Sequence, residues 1–598
     1  MTLYFYLKRS ILASFFLCIF ISFQANAFHI NERDLSIFNA LVHKKGANQA
    51  VQDSGFFFFT GSNVLEVELR KSVEIMLGAS QIRADFICEF PARALWISKR
   101  FQNTDTVDFS HCEALEYYLK AVDTNSISIV YASENLVSPS SFMGHSFLKL
   151  NSGQGREHAV SYFTDVDTIN IPKLLFDSIV TGKQGHFVVS PYLESKRFYG
   201  QVEARNIYEY HLNLSDFEVK LLTLHLWELK ERRIDYYFHS HNCATITLDI
   251  LGIIEPNIIQ SHTAWLTPLD VVKIVNNSQF VSHSTITPSL NWQLRTYGLQ
   301  LSNMQKKTYF QQLIKGNLQK LEHTKKDELF VSRYLAALNR YLLKELKISK
   351  IVWQKNQAYI DDSFYENKGL EIDVGSFKNP LNRLGDSQAS FSFHANSTQS
   401  YLLVNAIPAS HLVSDDNRHA FSESSLELIS PTVIITKDEV KLDEFTLYGI
   451  SQYIPYDPII GGVSGYFSLA YSGFDSSRFT TESKALAVGG LGVSMQPMPA
   501  FQYYGTIGTA VVTDIKRAWF ETKLEAGLIA YLKGNNKLNL SAMWRFNKNN
   551  LHQSNMEIEF QNTYSIDAVQ AILFGAKYTN WSQAKSKVSL FTGYKIYF

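Results

Sequence analysis

From about residue 366 onward the chain alternates apolar and polar positions with a period of two. In "KLNLSAMWRF", Leu538, Leu540, Ala542, Trp544 and Phe546 share one face, while Lys537, Asn539, Ser541, Met543 and Arg545 share the other. "KLEAGLIAYL" (Lys523 to Leu532) and "MEIEF" (Met556 to Phe560) repeat the alternation. The chain ends in "KVSLFTGYKIYF", with Val588, Leu590, Tyr594, Ile596 and the terminal Phe598 on one side. Such segments, around ten residues each and divided by turn residues, suit strands with one face on lipid and one on a lumen. Roughly twelve of them fit between 366 and 598, a size within the range of membrane barrels. The alternative is a soluble β-sandwich with one buried face. Regular recurrence and the many aromatics on the apolar faces favour an antiparallel transmembrane β-barrel, closed by an aromatic-ended strand like those of outer-membrane proteins.

The pattern before the barrel is different. Residues 28–122 mix polar and apolar positions at helical spacing, interrupted by "SGFFFFTG" (Ser54 to Gly61), and predict a small helical module. Within 123–300, "SISIVYAS", "GHSFLKLNSG" and "EHAVSYFTD" predict strands, the last two around a turn at Asn151-Ser152-Gly153. Ser215 followed three residues later by Glu218 is a capping box, so a helix starts there. Residues 301–360 are helical again and read as a connector. At the start, Lys8 and Arg9 precede the apolar run "ILASFFLCIFISF" and the small-x-small site Ala25-Asn26-Ala27, which predicts a signal peptide over 1–27. The alternative is an uncleaved anchor. Beyond it no apolar run reaches the roughly 18 residues of a spanning helix.

Charge and cysteine count narrow the function. Lys+Arg and Asp+Glu are both 56, with no long basic block, which argues against nucleic acid as a partner. No P-loop, H-E-x-x-H or paired C-x-x-C occurs, so neither a nucleotide, a metal nor another cofactor is expected. Past the signal three cysteines remain. In an oxidising compartment Cys88 and Cys112, close in sequence, are the natural disulfide, leaving Cys243 as the odd thiol. The alternative is three reduced, structural cysteines.

Cys243 follows Asn242 in "YYFHSHNCATITLDILGII", where Ala244 to Ile254 repeats at helical spacing. A helix start lowers a thiol's pKa and offers N–H groups to an oxyanion. A base is still required. "SPSSFMGHSFLKL" puts His145 at the start of a strand, with Ser146 on the opposite face, and His158 opens the next strand. Adjacent strands would set the two imidazoles side by side, one facing the thiol and one orienting it. Glu203, Arg205 and Glu209 read as a structural charge network beside the site, the alternative being substrate contact. Gly182 and Gly185 read as loop formers, and His186 as a loop residue.

The order His, His, Asn-Cys resembles the circularly permuted NlpC-type papain-like fold found in lecithin–retinol acyltransferase relatives. That resemblance implies His145 as base, His158 as its polar partner and Cys243 as nucleophile. "CEFPARALWI" (Cys88 to Ile97), "SPSSFMGHSFLKL" (Ser138 to Leu150), "EARNIYEYHL" (Glu203 to Leu212) and "YYFHSHNCATITLDIL" resemble the bacterial family of the Lnb lipoprotein N-acyltransferase periplasmic domain. The fold expected is therefore an α+β permuted papain-like domain with a helical N-terminal module, followed by the barrel. The resemblance implies a cell-envelope acyltransferase: a phospholipid acyl donor, a Cys thioester and a lipoprotein amine acceptor, at the outer membrane with the N-terminal domains in the periplasm. Acyltransferase members carry membrane helices after this domain, whereas here a barrel pattern follows. Two other readings remain: a cysteine peptidase or amidase acting on cell-wall peptides, and a noncatalytic outer-membrane protein.

Overall fold

The computed structural model describes residues 28–598 apart from 46–47, 50, 52, 58–64, 79–80, 135–142, 166–169, 261–264, 320–324, 366–377, 410, 476–479, 515, 548–549 and 582–585. The signal peptide expected over 1–27 lies outside the described residues. Among the described residues no helix is long and apolar enough to cross a membrane.

Two compact units form. The first combines the described residues up to Thr124 with two returning stretches, Ser215–Asp235 and Asp249–Gln260. Its helix Asp216–Leu229 begins with the Ser215–Glu218 capping box read from the sequence, and packs on the helix Pro91–Phe101. Pro91 opens that second helix where a missing N–H costs nothing. Phe90 cannot cap it with a side chain, and Glu228 does so from the other helix. Its Oε1 accepts from the Ala92 and Arg93 amides at 2.9 and 3.0 Å. The Arg93 guanidinium lies buried over the rings of Phe56 and Phe90, at 4.4 and 4.2 Å. A disulfide joins Cys88 to Cys112 across a sequence separation of 24. Closing a loop of that length in the unfolded chain is worth about 3.5 kcal/mol.

The second unit holds a seven-stranded sheet and the barrel. Six strands run in the order Lys183–Pro191, His158–Thr164, His145–Ser152, Thr124–Ala132, Ile207–Leu212, Val281–Thr287, and Ile234–Tyr236 completes the sheet. From Gln388 to Tyr597 twelve antiparallel strands close on themselves, the strand Gln388–Ala395 pairing with both Ser400–Ile407 and Lys587–Tyr597. The faces follow the period-two reading. Leu540, Trp544, Val588, Leu590, Tyr594 and Ile596 are exposed on the outside, while Lys537 and Lys595 are buried in the lumen.

One end of that lumen is filled. The segment between Ile407 and Glu423 folds into it and is pinned by Asp415. The Asp415 carboxylate accepts from Lys595 Nζ at 2.6 Å, the Tyr597 hydroxyl at 3.0 Å and Gln388 Nε2 at 2.9 Å. Lys537 Nζ donates to the Asp415 carbonyl and to Glu423, both at 2.6 Å. Charges buried this deep persist only when paired and hydrogen-bonded. The same end carries the contacts that hold the sheet domain to the barrel. Arg383 pairs with Glu134 at 3.0 Å, the Thr267 hydroxyl donates to Asp386 at 2.9 Å, and Lys306 pairs with Asp457 at 2.9 Å.

The strand Asn536–Asn547 gives a direct test of the faces. Leu540, near its middle and pointing outward, should cost about 2–4 kcal/mol when replaced by Arg. Ser541→Arg, pointing into the lumen, should leave stability nearly unchanged. Urea titration of the refolded protein in vesicles, read by heat-modifiable gel migration, measures both, and the opposite ranking would reverse the faces.

Candidate active site

Cys243 is the first residue of the helix Cys243–Leu251, and the sequence around it explains why the helix starts there. Asn242 is the cap. Its side-chain oxygen accepts from the Ala244 and Thr245 amides, both at 2.9 Å, and the Thr245 hydroxyl accepts from the Asn242 amide at 2.8 Å. The Asn242 Nδ2 group donates to the carbonyls of Phe238 at 2.8 Å and Leu266 at 2.9 Å. Aspartate could cap but could not make the last two bonds, so asparagine both ends the preceding loop and fixes the thiol's position.

The thiol is free and buried. Burial pushes its pKa up, and the amides of Ser146, Ala244 and Cys243 itself pull the other way. The Ser146 hydroxyl adds a weaker pull from outside hydrogen-bond geometry, since that oxygen has no hydrogen-bond partner. The balance leaves the proton on sulfur at rest.

His145 opens the strand His145–Ser152 directly after Gly144. Gly144 has φ of 82°, and a Cβ there would stand 2.6 Å from the Tyr131 ring and 2.8 Å from the Ala132 carbonyl oxygen. Only glycine permits this entry into the strand. The imidazole lies tilted against Tyr199, with ring centroids 5.7 Å apart, and its Nε2 is buried without a hydrogen-bond partner. Burial first, and the positive charge of Arg205 second, push its pKa down to about 3. It is therefore neutral, with a nitrogen able to accept a proton.

Tyr199 links the two. Its ring is tilted by 31° against that of His145 and lies within electrostatic reach of Cys243. It sits in a π-helical turn, Phe198–Val202, which ends at Ala204 with φ of 53°. That left-handed residue turns the chain so that Arg205 enters the interior, where its amide donates to the Tyr199 carbonyl at 2.9 Å. Arg205 pairs with Glu203 at 2.7 Å and lies 5.3 Å over the Tyr199 ring. Neither Tyr199 nor Ala204 was singled out by the sequence, because a lone tyrosine after "ESKRF" carries no spacing signal.

The expected pairing of imidazoles does not form. The hairpin register sets Leu150 opposite His158 and Leu148 opposite Val160. His158 therefore lies five residues along the strand from His145, about 17 Å at 3.4 Å per residue. It also falls on the opposite face of the sheet, because residues facing each other across antiparallel strands share a side. The expected single charge network is also divided. Glu203 and Arg205 stand beside His145, whereas Glu209 accepts from Lys149 at 2.8 Å and from the Tyr192 hydroxyl at 2.6 Å. Gly185 and His186 lie within the strand Lys183–Pro191 and not in a loop. Among the described residues the one Cys, His and carboxylate cluster tight enough to share an ion is Cys88, His111 and Cys112, whose sulfurs are committed to the disulfide.

The low pKa of His145 is testable. Its ring signals should not titrate between pH 5 and 8, and Arg205→Gln should raise the pKa while leaving it below that of a free histidine, since burial is the larger cause. Selective-label NMR of the detergent-solubilised protein checks both. Titration near pH 6.5 in the native chain would contradict the buried, Arg-facing placement.

Residues 114–278, which include His145, Tyr199, Arg205 and Cys243, match the family model described as the Lnb N-terminal periplasmic domain, and residues 379–597 match one described as Domain of unknown function (DUF7840). Among solved structures the KdgM porin is similar at 8% identity and a TM-score of 0.23, covering 35% of this chain and 99% of that one. The NanC porin is similar at 9% and 0.25, over 35% and 98%. An anion-selective porin from Comamonas acidovorans is similar at 8% and 0.20, over 36% and 98%. These likenesses are slight, and the barrel rests on its own closed ladder. Among curated proteins nothing matches. The chain thus carries an Lnb-type periplasmic domain joined to a closed twelve-stranded barrel of the outer-membrane type, which places it in the Gram-negative cell envelope.

Proposed function

We propose that this protein is a cell-envelope cysteine acyltransferase. The observation that carries the reading is a free, buried Cys243 at a capped helix start, sharing Tyr199 with a histidine whose Nε2 has no partner. With the thiol protonated and the imidazole neutral at rest, the proton moves as the sulfur attacks. His145 takes it, and Sγ adds to the carbonyl carbon of a phospholipid ester. The Ser146 amide, which reaches the sulfur, and the positive end of the helix stabilise the oxygen that becomes negative. The tetrahedral adduct collapses to a thioester, and the departing lysophospholipid oxygen receives the proton from His145. An amine then attacks the thioester and loses a proton to His145, which returns it to the Cys243 sulfur as the amide forms. By the family resemblance that amine is the N-terminus of a lipoprotein. Arg205, tied to Glu203, keeps the imidazole neutral between steps. His158 has no part in this scheme, because the register holds it away.

The experiment is to incubate the purified full chain with phospholipid vesicles and measure intact mass. The native protein should gain one acyl chain on Cys243, released by neutral hydroxylamine. Cys243→Ser should gain none, and His145→Gln should acylate at least 100-fold more slowly. A lipoprotein peptide with a free N-terminus should then discharge the thioester. Discharge by water alone, at the same rate with or without the peptide, would make the protein a hydrolase. No acylation of Cys243 would overturn the reading.

A further inference from the structure

The segment before Gly182 has an arrangement that the thiol chemistry does not use. The helix Ile171–Phe176 runs into a π-helical turn, Asp177–Thr181, and Phe176 and Val180 project from it with 55% and 60% of their surface exposed. Exposed apolar side chains become informative where they continue a larger apolar surface. The anchoring is specific. The Ser178 carbonyl accepts from the Phe238 amide at 2.9 Å, and Gly182, with φ of 78°, fits where a Cβ would stand 2.6 Å from the Tyr237 ring. Tyr237 and Phe238 lie just upstream of the Asn242–Cys243 helix start. The turn is therefore tied to the loop that positions the thiol.

Its other side meets the barrel. Ile179 packs, with Met143, Phe238 and Trp265, against Leu426, Leu428, Tyr448, Ile450 and Phe467. These barrel residues share one face, because Leu426 is opposite Ile450, Leu428 opposite Tyr448, and Ile450 opposite Phe467. It is the outer face: the intervening Glu427 lies within reach of Asp415 and Lys595 in the lumen. The face continues through Gly489, opposite Phe467, to Leu491 and Val493, which are exposed like the rest of the apolar belt. Leu426 and Leu428 lie three and five residues into their strand from Glu423. That is about 10–17 Å along the strand, or about 8–13 Å along the axis of a barrel with typical strand tilt. The sheet domain thus grips the outer barrel wall within the first strand residues past Glu423, and Phe176 and Val180 flank Ile179, which makes the grip.

We infer that the turn carrying Phe176 and Val180 inserts into the leaflet surrounding the barrel and presents its phospholipids to the thiol. The occupant of this surface is membrane lipid, since the patch is continuous with a wall that is itself lipid-facing. The contact with the leaflet rests on that continuity alone. The presentation of an acyl ester rests on the function proposed above.

The test separates the two. In the full chain carrying Cys243→Ser, with the Cys88–Cys112 disulfide intact, a bimane probe is placed by Val180→Cys, by Leu590→Cys on the barrel's outer face, or by Ser284→Cys on an exposed strand of the sheet domain. Vesicles are made of phosphatidylethanolamine and phosphatidylglycerol with acyl-brominated phosphatidylcholine. The probe at 180 should lose at least half its fluorescence to the brominated lipid, as should the probe at 590, while the probe at 284 keeps its signal. A probe at 180 that behaves like the one at 284 would overturn the insertion. In the chain with Cys243 present, Phe176→Glu/Val180→Glu should slow acylation from vesicle phospholipid about tenfold and leave acylation by a soluble short-chain thioester within twofold. An equal loss with both donors would overturn the presenting role. Quenching at 180 with no acylation of native Cys243 by either donor would overturn the proposed function and leave the leaflet contact standing.

Discussion

The pairing of the strand Gln388–Ala395 with Lys587–Tyr597 is the contact on which the rest depends. A sheet in lipid cannot leave an edge, because each unpaired N–H or C=O there costs several kcal/mol. The last residue completes the seam: the Phe598 amide donates to the Ser387 carbonyl at 2.9 Å, and the Ser387 amide donates back at 3.2 Å. Once the seam closes, inside and outside are defined. Lys537, Lys595 and Asp415 have a lumen in which to pair, and Leu540, Leu590 and Ile596 have lipid. Closure also fixes the end at which the chain enters the barrel, and there Arg383, Asp386 and Asp457 meet Glu134, Thr267 and Lys306 of the preceding domain.

The barrel was legible because its rule is local. Alternation puts Leu538 and Leu540 outward whatever the neighbouring strands do, so "KLNLSAMWRF" states its own faces. The rule breaks where an extra residue enters. The alternation is interrupted at Ile429, with φ of 53°, and at the register shift between Thr446 and Tyr448, where the strands slip by one. These irregularities leave Leu426, Leu428 and Tyr448 on the outer wall beneath the sheet domain, and no period in the sequence marks them. The Ser215 helix start was legible for the same local reason, since a cap and its target amides lie within three residues.

The site was legible in its parts and not in its geometry. A cysteine at a helix start and a histidine after a glycine are local signals. The expected contact between His145 and His158 depended on a register, and a register is set by the turn that joins the strands. The ladder runs Leu148 to Val160, so the chain is turned at 153–157 and His158 is carried to the far end of the hairpin. The aromatic group that does approach His145 comes from a π-helical turn some fifty residues on. Its position depends on the left-handed Ala204, and nothing in the sequence distinguishes that alanine.

Electrostatics then decides what the site can be at rest. Burial alone drives a thiol and an imidazole towards their neutral forms, one by raising and the other by lowering the pKa. Arg205 adds to this for His145, and the helix-start amides only partly oppose it for Cys243. A preformed thiolate–imidazolium pair would be reactive towards any oxidant or electrophile in an oxidising compartment. On the acyltransferase reading, a neutral pair is inert until an ester carbonyl sits against the sulfur, because only then does negative charge develop where the Ser146 amide and the helix start can hold it. On that reading the inertness is a selectivity: a buried thiol and imidazole that are both neutral react only with an electrophile bound closely enough to exclude water from between them.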